Sequence, residues 1–569
     1  MEKKEYMTID GIPVEIEGEK NLLAMIRKAG IELPTFCYHS ELSIYGACRM
    51  CIIEDSKGNL DAACSAQPWP GMEIRTNTER LRKYRKMILE LLLANHCRDC
   101  TTCASSGSCK LQDLAMRFNI EGVRFPNTAT EPVLDDSSLC ISKDQSKCIL
   151  CGDCVRMCDE VQSIGAIDFA GRGSKATIST IFNDPLAQTD CVGCGQCAAI
   201  CPTGAIVVRS DTNRLWKDLD DKNTKVTVQV APAVRVALAG QFGVTQGENA
   251  MGKIVAALRR MGFDEIFDTS TGADLTVLEE ANELLKRLEA NPNGSEFPLF
   301  TSCCPAWVNF CENNYPELLN NVSTCRPPIQ MMAAIIKEQY APSSRRSVHV
   351  AVTPCSAKKF EAARPEFAVD GVPRVDYAIT TQELIQMIKE SGLVFSELEP
   401  EAVDSPFGSM TGAGLIFGVT GGVTEAVLRR ISSDKTITGL QTLKLSGIRG
   451  MEGVKEATVK VGDRDVRIAV VSGLKNTRDL IERIKNGERY DFVEVMACPG
   501  GCVSGAGQPY VSESEKALRG KGLYSADKLS NVKRSEENPL MMTLYNGMLK
   551  GRVHELLHVH YTGKGGENH

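Results

Sequence analysis

No apolar run in this chain reaches the ~18 residues that a membrane-spanning helix needs. The start, MEKKEYMTIDG, has no long apolar segment of the kind that marks a secretion signal, so a cytoplasmic location is expected. An excess of charge is missing as well: 65 basic and 72 acidic residues leave −7, which gives no general field for nucleic acid. No G-x-G-x-x-G follows a strand-like run and opens a helix, so a nicotinamide would need a flavin-bearing subunit elsewhere. What remains is an ordinary globular balance, 43% apolar and 24% charged over 569 residues. That length carries a prior of about four domains.

The 24 cysteines break this plain picture, with seventeen in the first 201 residues. A reducing cytosol disfavours a disulfide framework, and the tight grouping points to iron–sulfur ligation. Cys37, Cys48, Cys51 and Cys64 form a C-x10-C-x2-C-x12-C run. It follows an alternating segment around Asp10-Gly11, a hairpin signal, and a short amphipathic helix, NLLAMIRKAG, closed by Gly30. Hairpin, helix and cysteine loop together suggest a β-grasp domain with a [2Fe–2S] cluster over 1–78.

His96, Cys100, Cys103 and Cys109 stand at H-x3-C-x2-C-x5-C after the helical run TERLRKYRKMILELLLANH. Zinc accepts the same Cys3His donors. A [4Fe–4S] cluster, which passes electrons, suits a site between two other iron–sulfur domains and is expected over 79–138. Cys97 is expected to point elsewhere.

CILCGDCVRMC and CVGCGQCAAICP form an internal repeat offset by 43 residues. In this C-x2-C-x2-C-x3-C pattern the fourth cysteine ligates the other cluster. Cys148, Cys151, Cys154 and Cys201 are therefore assigned to one [4Fe–4S] cluster. Cys191, Cys194, Cys197 and Cys158 are assigned to a second, giving a ferredoxin-like domain over 139–215.

From about residue 216 the texture becomes α/β, with strand-like KVTVQVAP, SVHVAVTPC, VRIAVVSG and DFVEVMACP among helical runs. FTSCCPAW (Cys303, Cys304), TPCSAKKFE (Cys355) and EVMACPGGCVSG (Cys498, Cys502) hold the informative later cysteines. At least two of these motifs follow a strand-like run, placing them where open α/β sheets collect ligands.

At these motifs, and in the order of the accessory groups, the sequence resembles an iron-only, or [FeFe], hydrogenase of the long clostridial type. The expected architecture is multidomain α+β and α/β, ending in a large H-cluster domain over 216–569. The resemblance implies that Cys304, Cys355, Cys498 and Cys502 hold a [4Fe–4S] unit. Cys502 would bridge to a diiron centre carrying CO, cyanide and azadithiolate, for about 20 iron atoms in all. It also maps a proton path onto Cys303, Glu283, Ser323 and Glu280, with Cys303 between the diiron site and Glu283. Lys358 would hydrogen-bond a cyanide, Met496 would pack on the diiron centre, and Pro232 and Ala233 would line the pocket. Gly500 and Gly501 would let the backbone approach the cofactor.

Three departures from the usual pattern stand out: Ala306, Thr353 and Thr424. Thr353 replaces a methionine near the diiron site and is expected to alter catalytic bias. Cys97, Cys140, Cys311 and Cys325 are read as small buried hydrophobes. His554 and His558, at i and i+4, would present a metal face but lack an indicated acidic partner; a closing helix and strand is the plainer reading. Arg80, Arg82, Lys83, Arg85 and Lys86 form either a solvated face or a dock for an acidic ferredoxin.

The implied reaction is H2 = 2H+ + 2e−, with ferredoxin or flavodoxin as the expected carrier and dedicated maturases inserting the diiron part. The alternatives are a subunit of an NAD(P)-linked complex, a hydrogen sensor, a pure electron-transfer subunit and an iron–sulfur assembly protein.

Overall fold

The structure is a computed structural model, and it describes residues 4–128, 133–290, 298–340, 344–408, 410–432, 434–436, 439–441 and 447–563. The chain divides into two compact units: 1–189 with 200–207, and 190–199 with 208–569. Among the described residues no helix is long and apolar enough to cross a membrane.

The first unit opens with strands Tyr6–Ile9 and Ile12–Glu15, paired antiparallel. Asp10 and Gly11 both have positive φ, 49° and 85°, which a two-residue hairpin turn demands. Strands Ile52–Asp55, Leu60–Ala62 and Glu73–Arg75 complete a five-stranded sheet. Helix Leu22–Lys28 packs its buried leucines, Met25 and Ile26 into the core of this sheet. Its first turn is capped by Asn21, whose Oδ1 accepts the Ala24 amide at 3.0 Å.

Helix Glu79–Ala94 follows, capped by Thr78. Its basic stretch is not an unengaged docking face. Arg85 is buried and donates to the carbonyls of Met50, Thr76 and Ile52. Arg80 and Lys83 pair with Glu54 and Glu79.

The second unit is built on two four-stranded sheets. In one, Glu265–Asp268, Thr224–Val230, Arg346–Thr353 and Tyr377–Thr380 lie side by side, all parallel. In the other, Leu299–Phe300, Phe492–Met496 and Arg464–Ser472 are parallel, and Val454–Val461 pairs antiparallel at the edge. The parallel strands are apolar and buried on both faces, as helix-covered sheets require. Helix Ser270–Ala290 packs against helices Pro328–Tyr340 and Gly422–Ile431. The tail forms helix Val553–Leu557, and His558 bridges to Cys325 in antiparallel fashion.

Candidate active site and iron–sulfur sites

In the first unit Cys37, Cys48, Cys51 and Cys64 converge. Cys37 hydrogen-bonds Cys48 and Cys51 hydrogen-bonds Cys64, raising one thiol of each pair and lowering the other. Backbone amides point at two of the sulfurs: Cys48 N lies 3.3 Å from Cys37 Sγ, and Phe36 N 3.4 Å from Cys48 Sγ. Four converging thiols, three of them buried and two met by amide donors, suit the anionic sulfur of a cluster.

His96, Cys100, Cys103 and Cys109 line one cavity. His96 Nε2 is buried and has no hydrogen-bond partner among the described residues. Such an orphan costs free energy unless a ligand meets it. Cys97 lines the same cavity and is only half-buried, contrary to its reading as an inert core thiol. Cys140, Cys311 and Cys325 are fully buried.

A third cavity is lined by Cys148, Cys151, Cys154 and Cys201, so the repeat's last cysteine returns to the first group. Burial raises Cys158, against the amides of Ala166, Gly165 and Ile167. Cys191, Cys194 and Cys197 lie in the segment that belongs to the second unit.

The largest convergence is in the second unit. Strands Thr224–Val230 and Arg346–Thr353 end at Pro232, Ala233 and Cys355, and strands Leu299–Phe300 and Phe492–Met496 end at Cys303, Cys304 and Cys498. Together with Cys502 these residues line an apolar cavity, shared with Thr353, Lys358 and Met496. Cys355, Cys304 and Cys502 all act electrostatically on Cys498, and burial pushes each of the four thiols up, Cys355 to about 12. Buried thiols that resist ionising alone are suited to a metal centre that takes their charge. Ala497 N lies 3.4 Å from Cys304 Sγ, and Met496 Sδ 4.0 Å from Cys502 Sγ.

Glycine matters at Gly501, with φ 88°, where a Cβ would stand 2.5 Å from Thr420 N. Gly501 lines the cavity as well. Thr353 Oγ1 donates to Cys355 O at 3.1 Å. Thr424 is buried on its helix, its amide donating to Glu494, and is not among the residues lining the cavity. Ala306 is buried in helix Pro305–Asn314.

Glu280 acts electrostatically on Cys303. Burial raises Cys303 well above the usual thiol range, with Glu280 the next contributor. Burial likewise raises Glu280, which has 0% exposure, and Glu283 and Glu494 add to it. Ser323 Oγ donates to Glu283 Oε2 at 2.8 Å, and Arg287 pairs with Glu283 at 2.7 Å. One helix face carries both acids; Glu280 is fully buried, while Glu283 is the one that meets Ser323 and Arg287.

Three partners were not legible from sequence. Glu361 Oε2 receives Lys358 Nζ at 2.7 Å. Gln196 Nε2 donates to Cys498 Sγ at 3.0 Å, although Gln196 lies inside the ferredoxin-type run, where nothing in its residue type marks it. His558 does have an acidic partner: its Nε2 lies 3.0 Å from Glu279 Oε2, and its Nδ1 2.9 Å from Thr324 Oγ1.

Residues 224–506 match the family described as "Iron only hydrogenase large subunit, C-terminal domain", and 513–564 match "Iron hydrogenase small subunit". Upstream, 6–79 match a 2Fe-2S iron-sulfur cluster binding domain and 85–124 the NADH-ubiquinone oxidoreductase-G iron-sulfur binding region. Residues 147–205 match a 4Fe-4S dicluster domain.

The "NADP-reducing hydrogenase subunit HndD" of Solidesulfovibrio fructosivorans is 42% identical, covering 98% of each chain. "Iron hydrogenase 1" of Clostridium pasteurianum is 35% identical over 97% of this chain and 99% of its own. A solved structure of a variant of [FeFe]-hydrogenase HydA1 from Chlamydomonas reinhardtii is 37% identical, with a TM-score of 0.55. It covers 62% of this chain and 100% of that one. With relatives aligned end to end, and cysteine sites in both units, the chain belongs to the iron-only hydrogenase family: an [FeFe]-hydrogenase-like catalytic subunit with iron–sulfur domains.

Proposed function

We propose that this subunit interconverts H2 with protons and electrons in the cavity at the strand ends of the second unit. The observation that carries the reading is the convergence of Cys304, Cys355, Cys498 and Cys502 on one apolar cavity that also holds Cys303 and Lys358. An H-cluster on those four thiolates would supply the electrophilic metal that polarises H2. The remaining work falls to the chain. Cys303 exchanges a proton with the cavity and with Glu280, and Ser323 passes it to Glu283, where Arg287 steadies the charge. Lys358 presents a cation whose charge Glu361 compensates, with Nζ 3.1 Å from Cys303 O. Apolar walls exclude water that would otherwise screen these charges.

The cysteine groups of the ferredoxin-like domains would hold one [2Fe–2S] and three [4Fe–4S] clusters. His96 with Cys100, Cys103 and Cys109 would serve one of the three, and Cys148 with Cys151, Cys154 and Cys201 another. Two electron partners are carried forward. A ferredoxin or flavodoxin fits a chain without a nicotinamide motif. An NADP-linked assembly is supported by the HndD relative and by the match to the NADH-ubiquinone oxidoreductase-G region.

Anaerobic H2 uptake by maturase-treated protein, with ferredoxin or NADP+ as sole acceptor, tests both. Turnover with ferredoxin alone supports the first partner. Turnover with NADP+ only after a flavin subunit is added supports the second, and no turnover with any acceptor, artificial dyes included, overturns the proposal.

A further inference from the structure

The cavity at the end of helix Glu79–Ala94 holds one donor too many. A four-iron cluster takes one protein ligand per iron. His96, Cys100, Cys103 and Cys109 already make four, and Cys97 lines the same wall. We infer that Cys97 is a second, exchangeable ligand for the iron that His96 would hold, an inference that rests on reading this cavity as a [4Fe–4S] site.

The geometry around His96 is what makes exchange reasonable. The side chain is 6% exposed, and its Nε2 faces the cavity without a partner among the described residues. Its Nδ1 accepts the Arg98 amide at 3.1 Å. A neutral imidazole that accepts at Nδ1 carries its proton on Nε2. A metal-bound one needs the reverse, with Nδ1 as the donor. The Arg98 amide therefore opposes ligation by His96. Arg98 itself holds a left-handed φ of 61°, uncommon for a residue other than glycine, which keeps that amide turned back on the ring.

Cys97 Sγ lies 3.9 Å from the same Nδ1. In the exchange Cys97 Sγ would replace His96 Nε2 on the iron, and the thiol proton would leave to solvent from the half-buried Cys97; no electron is gained or lost. Thiolate in place of neutral imidazole adds one negative charge to the site and lowers its potential.

The test uses anaerobically purified full-length protein carrying His96→Ala, Cys97→Ser, or both. Iron and sulfide per chain, ¹⁴N couplings in pulsed electron paramagnetic resonance, and iodoacetamide labelling of Cys97 read by mass spectrometry are the measurements. His96→Ala is expected to keep its iron, lose the ¹⁴N coupling, shift to lower potential and protect Cys97 from alkylation. The double variant should lose about four further iron atoms per chain, while Cys97→Ser keeps both its iron and its ¹⁴N signal. If His96→Ala loses as much iron as the double variant, or leaves Cys97 open to alkylation, the inference is overturned. Zinc at this site in the unmodified protein is a different failure, that of the cluster reading itself.

Discussion

Lys358 Nζ sits 2.7 Å from Glu361 Oε2 one helical turn on, and both side chains are buried. Burial alone would push Lys358 down, but Glu361 and the neighbouring thiols outweigh it and keep the ammonium charged. Removing one partner leaves an uncompensated buried charge, at a cost of about 3–5 kcal/mol. Glu361→Gln should therefore destabilise strongly, while Lys358→Met combined with Glu361→Gln costs less than the sum. Calorimetric unfolding of the four proteins in a double-mutant cycle gives the coupling; additive losses would remove the pair from the account.

In the proposed proton path Glu280 is as important as Cys303. Cys303→Ala and Glu280→Gln should each cut H2 turnover by at least ~10²-fold, the lower range for a positioned acid–base group. The infrared CO and cyanide bands should persist, because the four ligand cysteines are untouched. Cys303→Ser should also be slow, its hydroxyl holding the proton too tightly, whereas Cys303→Asp should recover part of the rate. Near-normal turnover in Cys303→Ala with intact bands would sink the path.

Thr353 ties its hydroxyl to the Cys355 carbonyl at 3.1 Å while lining the cavity. Thr353→Met releases that carbonyl and places a thioether against the site. The ratio of H2 oxidation to H2 evolution should change without loss of either direction. Film voltammetry measures the ratio directly, and an unchanged value clears Thr353 of any part in bias.

Gln196 donates to Cys498 Sγ at 3.0 Å. A hydrogen bond to a cluster sulfur stabilises its more negative, reduced state. Gln196→Leu should accordingly lower the reduction potential of the cluster that Cys498 would hold. A redox titration followed by infrared and paramagnetic signals would expose the idea as wrong if the midpoint stays put or rises.

His349 is fully buried between Thr227 Oγ1 and Gln229 Nε2, each 2.8 Å from a ring nitrogen. Burial, with Lys337 nearby, holds its pKa down at about 3, against roughly 6.5 in an unfolded chain. Between those values the unfolded state binds a proton that the folded state does not. Stability is thus fully present above ~6.5 and falls as pH drops toward the folded value. Thermal unfolding from pH 7 to 5 should show a steeper loss for the unmodified protein than for His349→Gln; parallel curves would rule the histidine out.

The sequence by itself determined everything that local rules govern. The Asp10-Gly11 hairpin, the capped helix after Thr78, the doubled ferredoxin run and the apolar strands follow from turn chemistry, spacing and periodicity. Each of these is a short-range property. The cysteine motifs were legible for the same reason, since a ligand needs a fixed residue type.

Only the tertiary structure decided which distant groups meet. It buried Glu280 fully and gave Glu283 to Ser323, because two acids three residues apart on one helix differ in depth, not in face. It turned Arg85 from an apparent docking charge into a buried donor to three carbonyls. It gave Lys358 its counterion, His558 its carboxylate and Cys498 its amide donor. Such pairings depend on where strands end and helices cross, and a residue's own neighbours in the chain do not encode them.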